Sequence, residues 1–201
     1  MKRWGMTVDL KRCIGCQSCS MACKMENGTP PGVFYRKILE KVTGKYPAVR
    51  RSYIPTSCMH CDDPPCVRNC PTGVFYKREE DGVVMYDSSK CYGAKVCRMA
   101  CPYDAIAFIE KVEPYYPGGF TAIEKIWDNQ PREGTAAKCD FCIDRVTRGM
   151  LPSCVQTCPT DALKFGDLND VNSEISKLIL TRDGYQLHAD LGTNPAVYYL
   201  P

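Results

Sequence analysis

The sequence predicts an α+β fold of short strands and short helices held on cysteine-rich loops, and three observations predict it. Cysteine occurs fifteen times in 201 residues, far above ordinary usage. The cysteines fall into four groups in order along the chain, three of four and one of three. Segments flanking the groups alternate apolar and polar residues as strands do, while the last two cysteines of a group stand about one helical turn apart.

The chain opens with GMTVDL, a strand-like alternation that leads into the first group, CIGCQSCSMAC, with Cys13, Cys16, Cys19 and Cys23. Gly15 supplies the backbone freedom a loop needs to wrap a metal core. QSCSMACKM then carries Cys19 and Cys23 on one helical turn. MENGTPPGV is a turn-rich connection, and FYRKILEKV reads as a strand. The second group, CMHCDDPPCVRNCP, widens the middle gap and places Cys58, Cys61, Cys66 and Cys70. GVVMYD is a strand entering the third group, CYGAKVCRMACP, with Cys91, Cys97 and Cys101. Gly93 matches Gly15 in this loop, but the place of the second cysteine is taken by Ala94. AIAFIE is the returning strand.

Residues 111–137 form an irregular excursion whose Tyr115, Tyr116, Phe120 and Trp127 either face a partner or cover the metal loops. The fourth group combines CDFC with CVQTCP, giving Cys139, Cys142, Cys154 and Cys158, and ALKFGDL returns from it as a strand. NSEISKLILTRDG predicts a docking helix with Ile175, Leu178 and Ile179 on one face and Asn172 or Ser173 as its cap. GTNPAVYYLP is expected to be a short extended tail.

Three chemistries use cysteine at this density. Disulfide scaffolds belong mostly to short secreted chains, and repeated C-x-x-C pairs suit metal better. Zinc is held by two pairs, with no constraint on the residue after the last cysteine. Here Cys70, Cys101 and Cys158 are each followed by proline, and C-x-x-x-C-P is the ending of bacterial ferredoxin motifs, whose fourth cysteine ligates the other cluster of a pair. Iron–sulfur chemistry therefore explains the pattern best.

Other classes find no support. A formal charge of +3 without a basic run argues against nucleic acid, and no apolar stretch approaches eighteen residues. The N-terminal MKRWGMTVDLKRC has no signal-peptide run and no twin-arginine pair before one, so export is expected to need a partner carrying the address. There is no G-x-G-x-x-G dinucleotide fingerprint and no nucleophile–base arrangement, so the chain reads as an electron carrier with no catalytic residues. Of the two histidines, His60 lies inside CMHC and can donate a hydrogen bond to cluster sulfide, whereas His188 has no metal context. Lys11, Arg12, Lys24, Lys90, Lys95, Arg98 and Lys138 stand within two residues of a cysteine, where positive charge eases cluster reduction or simply solubilises the surface.

The first motif, the widened CMHCDDPPCVRNCP and CDFCIDRVTRGMLPSCVQTCP, in this order, closely resemble the four-cluster ferredoxin-like subunit of molybdopterin oxidoreductases related to dimethyl sulfoxide reductase. ACKMENGTPPGV, FGDLND and GTNPAVYYL look most like subunits of polysulfide, thiosulfate and arsenate reductases. The resemblance covers nearly the whole chain. It implies an outer ferredoxin-like unit of residues 1–50 plus 111–201 and an inserted unit of residues 51–110, joined by extended loops. It implies one cluster on Cys13, Cys16, Cys19 and Cys158, and a second on Cys139, Cys142, Cys154 and Cys23. A third would take Cys58, Cys61, Cys66 and Cys101, and a fourth Cys91, Cys97 and Cys70 with Ala94 at the vacant corner.

Three [4Fe-4S] clusters and one [3Fe-4S] cluster are expected, the alternatives at Ala94 being a [4Fe-4S] cluster with water or hydroxide on the unheld iron, or an empty site. The resemblance further implies a large molybdopterin catalytic partner, an integral-membrane quinone-binding anchor, and a place on the periplasmic side reached by co-export. A soluble polyferredoxin with several redox partners is the alternative, and a zinc-stabilised interaction module is a third.

Overall fold

The computed structural model describes residues 1–127 and 131–201. In chain order its elements are β1 (Trp4–Asp9), α1 (Ser18–Asn27), β2 (Lys37–Thr43), β3 (Arg50–Thr56), α2 (Pro65–Arg68), β4 (Phe75–Lys77) and β5 (Val84–Tyr86). They continue with α3 (Val96–Ala100), β6 (Ala107–Ile109), α4 (Ala122–Lys125), β7 (Thr135–Ala137), α5 (Ile143–Thr147), α6 (Ser153–Gln156), β8 (Leu163–Asp167), α7 (Glu174–Thr181) and β9 (Val197–Leu200). The fold is a small mixed α/β arrangement, and each strand expected beside a cysteine group is present.

The largest sheet has the order β8-β1-β9, antiparallel across β1–β8 and parallel across β1–β9. β1 is its central strand, so residues from Gly5 to Asp9 are buried on both faces instead of alternating. Met6 pairs with Phe165 and Val197, Val8 with Leu163 and Tyr199, and neither Met6 nor Val8 exposes any surface. Helix α7 covers one face. Ser173 accepts a hydrogen bond from Ser176 N–H at its start, and Ile175 is wholly buried over Gly166. Burying one such isoleucine contributes about 1.5–3 kcal/mol.

The C-terminal segment is more than the tail its sequence predicts. As β9 it completes the main sheet, with Val197, Tyr199 and Leu200 buried and the Tyr199 hydroxyl donating to the Pro55 carbonyl at 2.8 Å. The pairing partner of VYYL lies nearly the whole chain away, which local alternation does not reveal.

Three two-stranded ladders complete the sheets: β2–β3, β4–β5 and β6–β7. Two of them cross the expected unit borders, β2–β3 at 50/51 and β6–β7 at 110/111. The excursion at 111–137 is partly regular, containing α4, whose Thr121 and Glu124 form a capping box, and β7. Its Tyr115 hydroxyl donates to the Thr29 carbonyl at 2.7 Å and Trp127 lies against Gly28, so these two aromatics cover the turn after α1. Tyr116 is mostly exposed. Residues 128–130 of the excursion lie outside the described residues. Among the described residues no helix is long and apolar enough to cross a membrane.

Candidate iron–sulfur centres

The first and third cysteine groups are built by the same local device. β1 delivers the chain to a loop begun by Asp9, whose carbonyl accepts from Cys13 N–H at 3.1 Å. Gly15 and Gln17 then take left-handed backbone (φ 71° and 64°), which turns the loop around a centre and starts α1. The third group repeats this with Gly93 and Lys95 (φ 86° and 59°) ahead of α3. Ala94 therefore stands on the backbone that presents Cys16 in the first group.

The closing turns repeat as well. In Cys70-Pro71-Thr72 and Cys158-Pro159-Thr160, an N–H four residues on, Val74 or Ala162, donates to the cysteine Sγ at 3.3 Å. Phe141 N–H likewise donates to Cys139 Sγ at 3.4 Å, and His60 N–H to Cys58 Sγ at 3.5 Å. Such donors stabilise sulfur carrying negative charge.

The thiols from different groups meet. Cys13 is within electrostatic reach of Cys158 and Cys16, and Cys19 of Cys154, Cys13 and Cys158. Cys139 is within reach of Cys23 and Cys142, and Cys142 of Cys154 and Cys23. Cys58, Cys61, Cys66 and Cys101 line one cavity. Cys70, Cys91, Ala94 and Cys97 line another, whose wall carries no histidine, aspartate or glutamate. The Ala94 methyl is exposed, so that corner opens toward solvent.

The donors fit a polynuclear core. All fifteen cysteines are free thiols. Burial pushes Cys23, Cys61 and Cys66 up to about 12 and Cys97 up to about 11, so bare pockets would hold neutral thiols there. A cationic iron core reverses that preference, since coordination removes the thiol proton outright. At Cys70 burial again works upward, but the N–H groups of Thr72 and Val74 overcome it and hold the thiol below its usual value. Among the described residues no three Cys, His, Asp or Glu side chains converge tightly enough for a single ion.

Of the seven cations near cysteines, several are engaged at the surface: Lys95 pairs with Glu110 at 2.7 Å, Lys90 with Asp87 at 3.5 Å and Arg12 with Asp161 at 3.5 Å. Lys24 is buried and ties down the following turn, donating to the carbonyls of Pro30 and Val33 at 2.9 and 2.7 Å. Burial lowers it to about 8. Lys138 is fully buried beside the cavity lined by Cys58, Cys61, Cys66 and Cys101, bonded to the carbonyls of Val84 and Cys139. Sequence reading misses Arg36, which is buried although it lies in the unremarkable run FYRKILEKV; nothing local in that run distinguishes it from exposed Lys37.

His60 is buried, its Nδ1 accepts from Val84 N–H at 3.1 Å, and its Nε2 has no hydrogen-bond partner among the described residues. Burial first, and then the charge of Lys138, hold it well below the usual imidazole range, so it is neutral. His188 is exposed and stands near Tyr103, apart from the thiols.

A 4Fe-4S dicluster domain matches residues 49–114 and 124–168, and a second 4Fe-4S dicluster domain matches residues 12–74. A selenate reductase subunit of Mesobacillus selenatarsenatis is 42% identical over 98% of this chain and 72% of its own length. A putative dimethyl sulfoxide reductase iron-sulfur subunit of Halobacterium salinarum is 40% identical over 100% of this chain and 79% of its own. The arsenate respiratory reductase iron-sulfur subunit of Shewanella sp. is 36% identical over 98% and 96%. The chain thus belongs to the 4Fe-4S dicluster family of iron–sulfur subunits of dimethyl sulfoxide reductase-type molybdopterin oxidoreductases, which transfer electrons and are not themselves catalytic.

Proposed function

We propose that this chain relays electrons through four iron–sulfur clusters between a molybdopterin catalytic subunit and a quinone-binding membrane anchor of a respiratory reductase. The observation that carries the reading is the meeting of thiols from separate groups: first with fourth, second with third. The clusters, when bound, supply one-electron carriage without proton chemistry. Cys13, Cys16, Cys19 and Cys158 would hold one; Cys23, Cys139, Cys142 and Cys154 a second; Cys58, Cys61, Cys66 and Cys101 a third. Cys70, Cys91 and Cys97 would hold a [3Fe-4S] cluster, because the exposed Ala94 methyl and a wall without carboxylate or imidazole give a fourth iron no protein ligand.

The residues around these sets would orient the cores. Backbone N–H groups of Val74, Ala162 and Phe141 donate to sulfur, and His60 Nε2–H, which lacks a partner among the described residues, would find an acceptor in a sulfide. An outer unit of residues 1–50 and 111–201 around an inserted unit of 51–110 accords with β1 pairing to β8 and β9, while the β2–β3 and β6–β7 ladders stitch the two together. Through its anchor partner the subunit would lie on the periplasmic side, with the Ala94 set toward the quinone.

Anaerobic purification of the native complex tests this reading. Co-purification of a molybdenum subunit and a membrane protein is expected. Isolation of the chain alone, carrying clusters, would favour a soluble polyferredoxin instead.

A further inference from the structure

Arg36 exposes only 2% of its surface. Its Nη2 donates to Ser57 Oγ at 3.2 Å and to Met6 Sδ at 3.0 Å, a hydroxyl and a thioether. A guanidinium carries five N–H donors and is never deprotonated at ordinary pH. Among the described residues Arg36 forms no ion pair, whereas the arginines that do, such as Arg145 with Glu26 at 3.1 Å and Arg182 with Asp9 at 3.0 Å, are less deeply buried. A buried charge without a partner is strongly unfavourable, so the fold must offer it negative charge from another source.

The sulfurs are that source. The groups whose charge acts on Arg36 are Cys154, Cys19, Cys139 and Cys23, and Cys13 also lies within its reach. Cys13 and Cys19 belong to the first set; Cys23, Cys139 and Cys154 belong to the second. Helix α1 carries Cys19 and Cys23 to adjoining sets, and Arg36, just before β2, is within electrostatic reach of thiols of both. A cluster held by four thiolates is anionic, and each electron it accepts makes it more so. A fixed cation in a dry interior therefore favours the reduced form, and more strongly than a solvated one would.

We propose that Arg36 is a positive charge shared by the first and second cysteine sets, which raises the reduction potentials of both clusters and screens the repulsion between them. The proposal rests on the cluster assignment under the proposed function. Arginine suits the task because its charge does not vary with pH and its planar fork is held by Ser57 and Met6.

The test is a redox titration of the anaerobically purified complex followed by electron paramagnetic resonance, with iron counted in every sample. In Arg36→Gln two midpoints should move to lower potential while the others stay, and Arg36→Lys should restore most of the shift. Should Arg36→Gln fail to take up iron, the pair Ser57→Asp and Ser57→Asn decides. The two side chains are of one size, but only aspartate neutralises Arg36 in place, so only Ser57→Asp should lower these two midpoints, in addition to any effect on the neighbouring Cys58 set.

Full iron with unmoved midpoints in Arg36→Gln would overturn the proposal. So would equal shifts in the Gln and Lys variants, or in the Asp and Asn variants, since these would mark a purely structural clamp. Wild-type protein without iron and sulfide would instead overturn the cluster assignment, before any variant is made.

Discussion

His60 and Phe141 hold the same place in two C-x-x-C loops, CMHC and CDFC, and their rings stack with centroids 3.7 Å apart and planes at 22°. Both residues have left-handed backbone (φ 44° and 59°), so each loop turns its third residue toward the other. The stack joins the second cysteine group to the fourth. His60→Leu removes it and leaves Val84 N–H without its acceptor. The expected cost is about 2–4 kcal/mol, combining an aromatic pair with an unsatisfied buried donor. Heating the holoprotein anaerobically and following its visible absorbance checks this. Bleaching at the wild-type temperature would contradict it.

Ala94 shares with Cys16 a loop of the same shape, set between a left-handed glycine and a left-handed helix-leading residue. A thiol at 94 therefore needs no rearrangement to reach the cavity lined by Cys70, Cys91 and Cys97. Ala94→Cys should abolish the spin-half resonance of an oxidised [3Fe-4S] cluster and add one iron per chain. The potential of that cluster should fall by on the order of 100 mV or more, since cluster type is a main control of potential. Quinol-linked turnover should slow, while reduction by a small artificial donor continues. An unchanged quinol rate in a converted variant would show that Ala94 does not tune how electrons arrive from quinol.

Asp9 closes the loop into the first group. Burial alone would raise its carboxyl, but hydrogen bonds from Arg182 and from the N–H groups of Arg12 and Lys11 outweigh that and hold it below the usual value. A depressed carboxyl stabilises the fold above its unfolded value of about 3.9 and loses that contribution as pH falls through the folded value. Asp9→Asn should cost about 1–3 kcal/mol at pH 7, as loss of a charged hydrogen-bond acceptor does. The gap from wild type should close below about pH 4. Anaerobic thermal bleaching curves between about pH 5 and 8, where the acid-labile clusters survive, test it: no gap at pH 7, or a gap that widens toward pH 5, would contradict it.

The line between what the sequence discloses and what it hides is a physical one. GMTVDL, GVVMYD, AIAFIE and ALKFGDL alternate locally and are strands, and Ser173 is a local helix cap, so neighbouring residues suffice to find them. The role of VYYL in the main sheet rests on β1, nearly the whole chain away, so its own residues predict only an extended tail. The cysteine sets follow a family likeness; no spacing within one group says which distant thiol will face it. Arg36 is the clearest hidden residue. It is one of three cations in a strand-like run, and its meaning comes only from the thiols that folding brings around it. Lys138 is one of seven cations near cysteines, and only its burial separates it from the surface-paired Lys95.

The central claim, that these cysteines hold iron–sulfur cores and not zinc or disulfides, is tested most directly by metal and sulfide analysis of the anaerobically purified native protein. Three [4Fe-4S] clusters and one [3Fe-4S] cluster predict about 15 iron and about 16 acid-labile sulfide per chain. Stoichiometric zinc without sulfide would contradict the account.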